Sequence, residues 1–171
     1  MNIFVKNFSR HLVLLSAVSF SSIAWADKVV IGALVSGQVS AVSVKAGQTV
    51  KAGAPLLTLD ASRFEAKLKR LQAQADLQDA KLKDAQIEFD TAQDLYDRTV
   101  TSRRSFDASK LAFSIAKAEA QQAQAALDEH QAWRKYVYIT APVSGKVVKL
   151  FAPVGTTVFK ENQPLVEIQT P

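Results

Sequence analysis

Apolar and small residues recur at alternating spacings of three and four through the middle of the chain, over residues 62–97. This heptad pattern is typical of an α-helix that packs along one face against a second helix. The same spacing resumes over residues 102–134, after a short break. We therefore predict two long helices with a shared seam. The seam positions are Phe64, Leu68, Leu71, Ala75, Gln78, Leu82, Ala85, Phe89, Ala92 and Tyr96 in the first arm, and Phe106, Ser109, Phe113, Ala116, Ala120, Ala123, Leu127 and His130 in the second.

Local signals support the first arm and define how the two arms are joined. Ser62 and Glu65 have the spacing of a capping box, which predicts that Ser62 caps the start of the helix. Because neither arm contains Gly or Pro and the link is short, we expect an antiparallel hairpin about 50 Å long. Acid-before-base pairs at i,i+4 should support its exposed face. These pairs are Glu65–Lys69, Asp79–Lys83 and Asp94–Arg98.

Two β-rich segments flank the predicted hairpin, and they repeat each other. Both contain short apolar runs broken by Gly and Pro, which is typical of short strands joined by tight turns. The ends of an antiparallel hairpin lie together, so residues 28–60 and 137–171 can share one core. We predict an α+β fold, in which two separated halves build one β-sandwich around the inserted hairpin. The matched repeat positions are Gly37 with Gly145, Val39 with Val147, Gly47 with Gly155, Val50 with Val158, and Pro55 with Pro164.

The first 26 residues are predicted to be a signal peptide for export and not part of the fold. Lys6 and Arg10 precede an apolar run that is too short to span a membrane comfortably. Ala24-Trp25-Ala26 is a small-x-small cleavage site, so we expect the chain to be cut after Ala26. An uncleaved N-terminal anchor is the alternative. No later apolar run has spanning length, and we expect an exported protein.

The amino-acid composition argues against several classes of function. The 171 residues include no cysteine, which excludes disulfides and cysteine-ligated metal sites. The formal net charge of +5 falls to +3 once Lys6 and Arg10 are removed, an excess too small to indicate nucleic acid binding. His130 is the only histidine after residue 26, and packing on the seam explains it better than metal binding or catalysis. We predict no enzymatic activity, no cofactor and no metal.

The combined pattern resembles the periplasmic adaptor family, also called membrane fusion proteins, of the HlyD and AcrA type. SGQVSAVSVKAGQTVKAGAPLLTLDASRFEAKL is similar to the family's first lipoyl half-motif, and ITAPVSGKVVKL is similar to the second. The resemblance implies a biotinyl/lipoyl-like domain from residues 28–60 and 137–171, with a coiled-coil hairpin over residues 61–136. It also implies a periplasmic adaptor for efflux or secretion, which links an inner-membrane transporter to a TolC-like outer-membrane channel. A homo-oligomeric ring would be expected.

The resemblance directs attention to the break between the arms, RTVTSRRSFD at residues 98–107. The family's tip motif, R-x3-L-x6-S, engages the outer-membrane channel. Leu95 and Ser102 match its Leu and Ser, whereas Thr91 stands where the motif has Arg. Arginine side chains can bind carboxylates and carbonyl oxygens, so we expect this tip to contact the channel. The predicted contact residues are Leu95, Arg98, Ser102, Arg103 and Arg104.

Other interpretations share parts of this pattern. Ser102 has the features of a helix N-cap, and the arginines could form only a solvated tip. A structural periplasmic spacer or degenerate accessory subunit would have the same fold and bind no channel. A lipoyl or biotin carrier would need a lysine on the turn that the hairpin replaces. Full-length family members also carry a β-barrel, for which this sequence leaves little room, so we expect a minimal adaptor, an accessory subunit or a degenerate copy.

Overall fold

The computed structural model describes residues 27–159 and 162–170. The predicted signal peptide, residues 1–26, lies outside the described residues. The described chain forms strands first, then a pair of long helices, then strands again. The first strands are β1 (Lys28–Gly32), β2 (Gly37–Val42), β3 (Thr49–Val50) and β4 (Pro55–Leu59). The later elements are α1 (Ser62–Asp97), α2 (Arg103–Ala132), α3 (Arg134–Val137), β5 (Tyr138–Thr140), β6 (Gly145–Leu150), β7 (Thr157–Val158) and β8 (Pro164–Gln169).

The strands form two sheets around a shared apolar core, and we call this unit the β-domain. One four-stranded sheet has the order β1-β8-β6-β3, and the other has the order β5-β4-β2-β7. Each sheet therefore combines strands from both sides of the helices. The core also draws on both sides, because Val39 and Leu57 pack in one cluster with Val147, Leu165 and Ile168. Removing these side chains from water drives the two segments together. The predicted α+β class is confirmed.

The two β-rich segments exchange their shortest strands in a reciprocal way. β7 of the second segment pairs with β2 of the first, so that Val158 lies opposite Gly37. β3 of the first segment pairs with β6 of the second, so that Val50 lies opposite Gly145. A side chain at Gly145 would collide with the carbonyl oxygen of Gln169, which explains why glycine is needed there. Each β-rich segment thus contributes its two-residue strand to the sheet edge formed by the other segment.

Helices α1 and α2 run antiparallel and pack along the predicted seam. Ring centroids are 5.0 Å apart between Tyr96 and Phe106, and 5.5 Å apart between Phe89 and Phe113. Near the β-domain, leucine and alanine side chains of the two helices form a second buried cluster. All the seam positions named above are buried or half-buried, so the heptad assignment is confirmed. None of the described helices is both long and apolar enough to cross a membrane.

The predicted capping box at the start of α1 is wrong. Ala61 is the N-cap and makes no side-chain cap bond, while Ser62 is already the first helical residue. Asp60 lies just before it, and its Oδ1 accepts hydrogen bonds from the Ser62 hydroxyl at 2.6 Å and the Ser62 backbone N–H at 3.0 Å. These bonds favour the charged carboxylate and lower the pKa of Asp60. Either residue type suits the start of a helix, and the structure uses the earlier one.

Two of the three predicted ion pairs on α1 are confirmed. Lys83 Nζ lies 2.6 Å from Asp79 Oδ2, and Arg98 Nη2 lies 3.0 Å from Asp94 Oδ1. The third prediction is wrong, because none of the ion pairs formed by the described residues involves Glu65. The Glu65 carboxylate instead accepts a hydrogen bond from Tyr138. A partner from a distant strand has replaced the expected neighbour on the same helix.

Aromatic contacts fasten the base of the helix pair to the β-domain. The Phe64 ring stacks on His130 with centroids 4.6 Å apart, and it meets the Tyr138 ring edge-on at 6.4 Å. His130 Nε2 lies 2.9 Å from the carbonyl oxygen of Phe64. A carbonyl oxygen can only accept, so this ring nitrogen carries the hydrogen. The contacts agree with the packing role expected for His130.

Candidate functional site at the tip of the helix pair

Helix α1 ends at the far tip through a left-handed residue that is not glycine. Thr99 has a φ of 59°, a conformation that a β-branched residue adopts rarely. Its backbone N–H donates to the Tyr96 carbonyl at 2.9 Å, and the Val100 N–H donates to the Leu95 carbonyl at 2.8 Å. This pair of bonds is the Schellman motif, which satisfies the last carbonyl groups of a helix. The turn therefore forms without the glycine that usually marks it in a sequence.

Helix α2 begins with Ser102 as its N-cap. Ser102 has extended backbone angles, and its Oγ accepts a hydrogen bond from the Ser105 backbone N–H at 3.2 Å. The capping role considered from the sequence is confirmed. The hydroxyl oxygen of Ser102 already accepts one hydrogen bond within the chain. Ser102 therefore helps to fix the shape of the tip, in addition to any contact it makes with another molecule.

The tip arginines are exposed and only weakly held. Arg98 pairs with Asp94, while Arg103 Nε lies 3.6 Å from Asp107 Oδ2. The Arg98 and Arg103 side chains remain 69% and 78% exposed, so these pairs contribute little stability. Arg104 takes part in none of the ion pairs among the described residues. The guanidinium groups can therefore turn toward another molecule at small cost.

Apolar side chains accompany these cations. Leu95 is 36% exposed on the last turn of α1, and Val100 is 70% exposed in the link between the helices. Sequence reasoning missed Val100, because a lone valine in a polar link carries no periodic signal. Thr91 lies one turn before Leu95, and its hydroxyl donates to the Ile87 carbonyl at 2.8 Å. The motif position without arginine thus presents no charge, and the cations lie nearer the turn.

The arrangement is suited to binding a protein surface. Apolar side chains supply contact area, and guanidinium groups make paired hydrogen bonds to carboxylates. The five residues predicted from the sequence are brought together at one end of the helix pair, on both sides of the link. The tip is thus a projecting surface of mixed apolar and cationic character.

A family model described as "RND MFP, barrel-sandwich hybrid domain" matches residues 27–169. The chain belongs to the RND membrane fusion protein family. The matched region includes all the described strands and helices, so the β-domain and the tip lie within the same family domain.

Curated relatives and solved structures agree with the membrane fusion protein assignment. Multidrug resistance protein MdtA of Cronobacter turicensis is 32% identical over 126 residues, which are 74% of this chain and 30% of that protein. The structure of MacA from Actinobacillus actinomycetemcomitans is 25% identical with a TM-score of 0.59, and the match covers 85% of this chain and 53% of MacA. ZneB from Cupriavidus metallidurans is 22% identical with a TM-score of 0.62 over 85% of this chain and 62% of ZneB, which supports the fold. The chain spans about a third of the length of the curated relatives it matches.

Proposed function

We propose that this membrane fusion protein is a periplasmic adaptor subunit of an efflux system. In this role it links an inner-membrane transporter to a TolC-like outer-membrane channel. The observation that carries the proposal is the family match over residues 27–169, which extends across both the β-domain and the helix pair. The protein acts through binding and not as an enzyme. The names of its multidrug resistance relatives support efflux over secretion.

The helix-pair tip is the proposed contact with the outer-membrane channel. Its contact residues are Leu95, Arg98, Ser102, Arg103 and Arg104. Support comes from the exposure of the arginine side chains and from the apolar surface beside them. Arg104 is the strongest candidate among the cations, since it makes no ion pair within the described chain that would have to break first. A channel end that carries carboxylates would complement this surface.

The remaining parts of the proposal concern how the adaptor is built and placed. Residues 28–60 and 137–171 form one lipoyl-like domain, and residues 61–136 form the projecting hairpin. The shared core and the reciprocal strand pairing support this division. The signal peptide, residues 1–26, directs the chain to the periplasm and is removed after Ala26. Copies of the chain assemble into a ring, so that several tips face one channel together.

Affinity capture from cell envelopes tests the proposal. The tagged protein should recover an outer-membrane channel and an inner-membrane transporter, identified by mass spectrometry. A variant with Arg103→Glu and Arg104→Glu should lose the channel and keep the transporter. The matched control carries Lys81→Glu and Lys117→Glu, which reverse the same number of charges on exposed helix surface away from the tip. Recovery of this chain alone would favour a structural spacer, and equal channel recovery by both variants would refute the contact assigned to the arginines.

A further inference from the structure

A groove lies at the opposite end of the helix pair, where the helix bases meet the β-domain. Its volume is about 480 Å³, within the size range of pockets that hold small organic molecules. Leu59 of β4, Phe64 and Leu71 of α1, and Val137 of α3 provide apolar lining. None of the proposed tip contacts lines this groove, so it is separate from the channel-binding surface.

The groove combines an exposed aromatic ring with a fixed aromatic floor. Trp133 lines the groove and is 49% exposed. Its ring also meets the Tyr136 ring edge-on, with centroids 5.7 Å apart. Phe64 is only 7% exposed, and it is held by its stacking on His130 and by the bond from His130 to its carbonyl oxygen. A rigid apolar surface beside an accessible indole suits a flat aromatic ligand, because little ordering is needed on binding.

Opposite charges line the two helical walls. Arg63 and Lys67 lie one turn apart on α1, and Glu129 lies on α2. None of the three is in an ion pair among the described residues. Asp60 also lines the groove, but Ser62 donates two hydrogen bonds to it, and it is close enough to Arg63 for the two charges to interact. Lys67 and Glu129 therefore offer a cation and an anion, one on each helical wall, that no ion pair among the described residues uses.

We propose that the groove binds a small aromatic zwitterion. The ring system lies between Trp133 and the Phe64 floor, the ligand's carboxylate faces Lys67, and its ammonium group faces Glu129. This orientation places an opposite charge beside both Lys67 and Glu129, which a simple anion or cation would not do. The site is independent of the adaptor function and would exist in the protein whether or not the tip engages a channel.

Three compounds with one aromatic body test the charge requirement. They are 3-(2-naphthyl)alanine, which is a zwitterion, 3-(2-naphthyl)propionate, which is an anion, and 2-(2-naphthyl)ethylamine, which is a cation. Isothermal titration calorimetry on the purified protein should give the lowest Kd for the zwitterion, by about two- to fivefold over each of the others, because each loses one exposed ionic contact. Trp133→Ala should weaken binding of all three by about tenfold. No binding at millimolar concentration, or tightest binding of the anion or the cation, would overturn the proposal.

Two charge variants test the orientation of the ligand. Lys67→Gln should remove the advantage of the zwitterion over the amine, and Glu129→Gln should remove its advantage over the propionate. Lys81→Gln is the control, because Lys81 is an exposed cation of α1 that does not line the groove. Both groove side chains are exposed, so folding should survive, as circular dichroism would verify. Unchanged selectivity in both groove variants, or unchanged binding in Trp133→Ala, would show that the compounds bind elsewhere or by apolar contact alone.

Discussion

The Tyr138 hydroxyl donates a hydrogen bond of 2.7 Å to Oε1 of Glu65, joining residues 73 positions apart. Glu65 lies in the first turn of α1, and Tyr138 opens the strand that follows the helix pair. The bond therefore ties the beginning of the helix pair to the point where the chain re-enters the β-domain. The same junction holds the stacked rings of Phe64 and His130.

Replacing Tyr138 should test how much this bond contributes. Tyr138→Phe keeps the ring that meets Phe64 and removes only the hydroxyl, so we expect the free energy of unfolding to fall by about 1 kcal/mol. Urea unfolding followed by circular dichroism would measure the change. Tyr136→Phe is the matched control, since none of the hydrogen bonds among the described residues uses the Tyr136 hydroxyl. A loss as large in the control would mean that the Glu65 contact is not the cause.

The pH dependence of stability offers an independent measurement of the same bond. The hydrogen bond to Glu65, with burial as a smaller cause, raises the pKa of Tyr138 above its ordinary value of 10.0. A raised pKa in the folded state means that the contribution is complete below pH 10.0 and is lost as the pH rises through the folded-state pKa. The stability difference between wild type and Tyr138→Phe should therefore shrink in alkaline solution. A difference that stays constant up to pH 11, or about one unit above the ordinary value, would contradict this expectation.

Thr99 should be a site where glycine stabilises the protein. Its left-handed conformation costs a β-branched residue free energy that glycine does not lose, and this gain exceeds glycine's greater freedom in the unfolded chain. We expect Thr99→Gly to raise the free energy of unfolding by about 0.5–1 kcal/mol. Thr101→Gly, in the same link but without a positive φ, should lower it. Thermal unfolding of the two variants would decide, because the expected changes have opposite signs.

Gln78 is a polar residue on the apolar seam. Its side-chain oxygen is buried and has no hydrogen-bond partner among the described residues. A buried acceptor without a donor is unfavourable, so Gln78→Leu should raise the free energy of unfolding by about 1–2 kcal/mol. Gln74→Leu, on exposed surface of the same helix, should change it little. Chemical denaturation of the two variants would measure both changes in the free energy of unfolding. Equal changes would show that burial of Gln78 on the seam is not the cause.

Thr91 should respond to restoration of the family motif. Thr91→Arg adds a cation one turn before Leu95, at an exposed position where the present hydroxyl bonds only to its own helix. We expect tighter binding to a TolC-like channel, and the gain should decrease as salt is added, since exposed charges are screened. Surface-immobilised channel and adaptor in solution would give the Kd at two ionic strengths. Gln93→Arg is a control cation on the same stretch of helix, and an equal gain there would point to general charge attraction.

Sequence reasoning succeeded where the pattern is periodic. The heptad spacing identified the seam because its positions, from Phe64 to His130, recur at alternating intervals of three and four and are all buried or half-buried. Sequence reasoning failed where a single residue sets the end of a helix, and where the partner of a side chain comes from a distant part of the chain. Asp60 and Ser62 are both suitable at a helix start, and only the fold selects between them. Glu65 of α1 accepts a hydrogen bond from Tyr138 of β5, and no local sequence spacing could indicate this distant partner.

Some residues of the candidate site could also be predicted from the sequence, whereas other features of the molecule are visible only in the structure. Leu95 and Ser102 could be found from the family motif, and the arginines from their clustering. The left-handed turn at Thr99 could not, because its usual marker, glycine, is absent. The groove near Trp133 combines residues from β4, both long helices and α3, and these come together only in three dimensions. Its opposite charges look like ordinary solvated helix residues in the sequence.

The reciprocal exchange of β3 and β7 has a consequence for the order in which the parts of the chain can fold. The sheet that holds β2 and β4 is incomplete until β7 of the second segment joins it, and the bond from Gln38 to the Gly155 carbonyl spans 117 residues. Pairing across such a separation is slow unless something shortens the loop. The helix pair forms from local contacts, and its zipping would carry Asp60 and Tyr138 to the same place. We therefore expect the helix pair to form first and to guide the two β-rich segments together, so that the β-domain closes last.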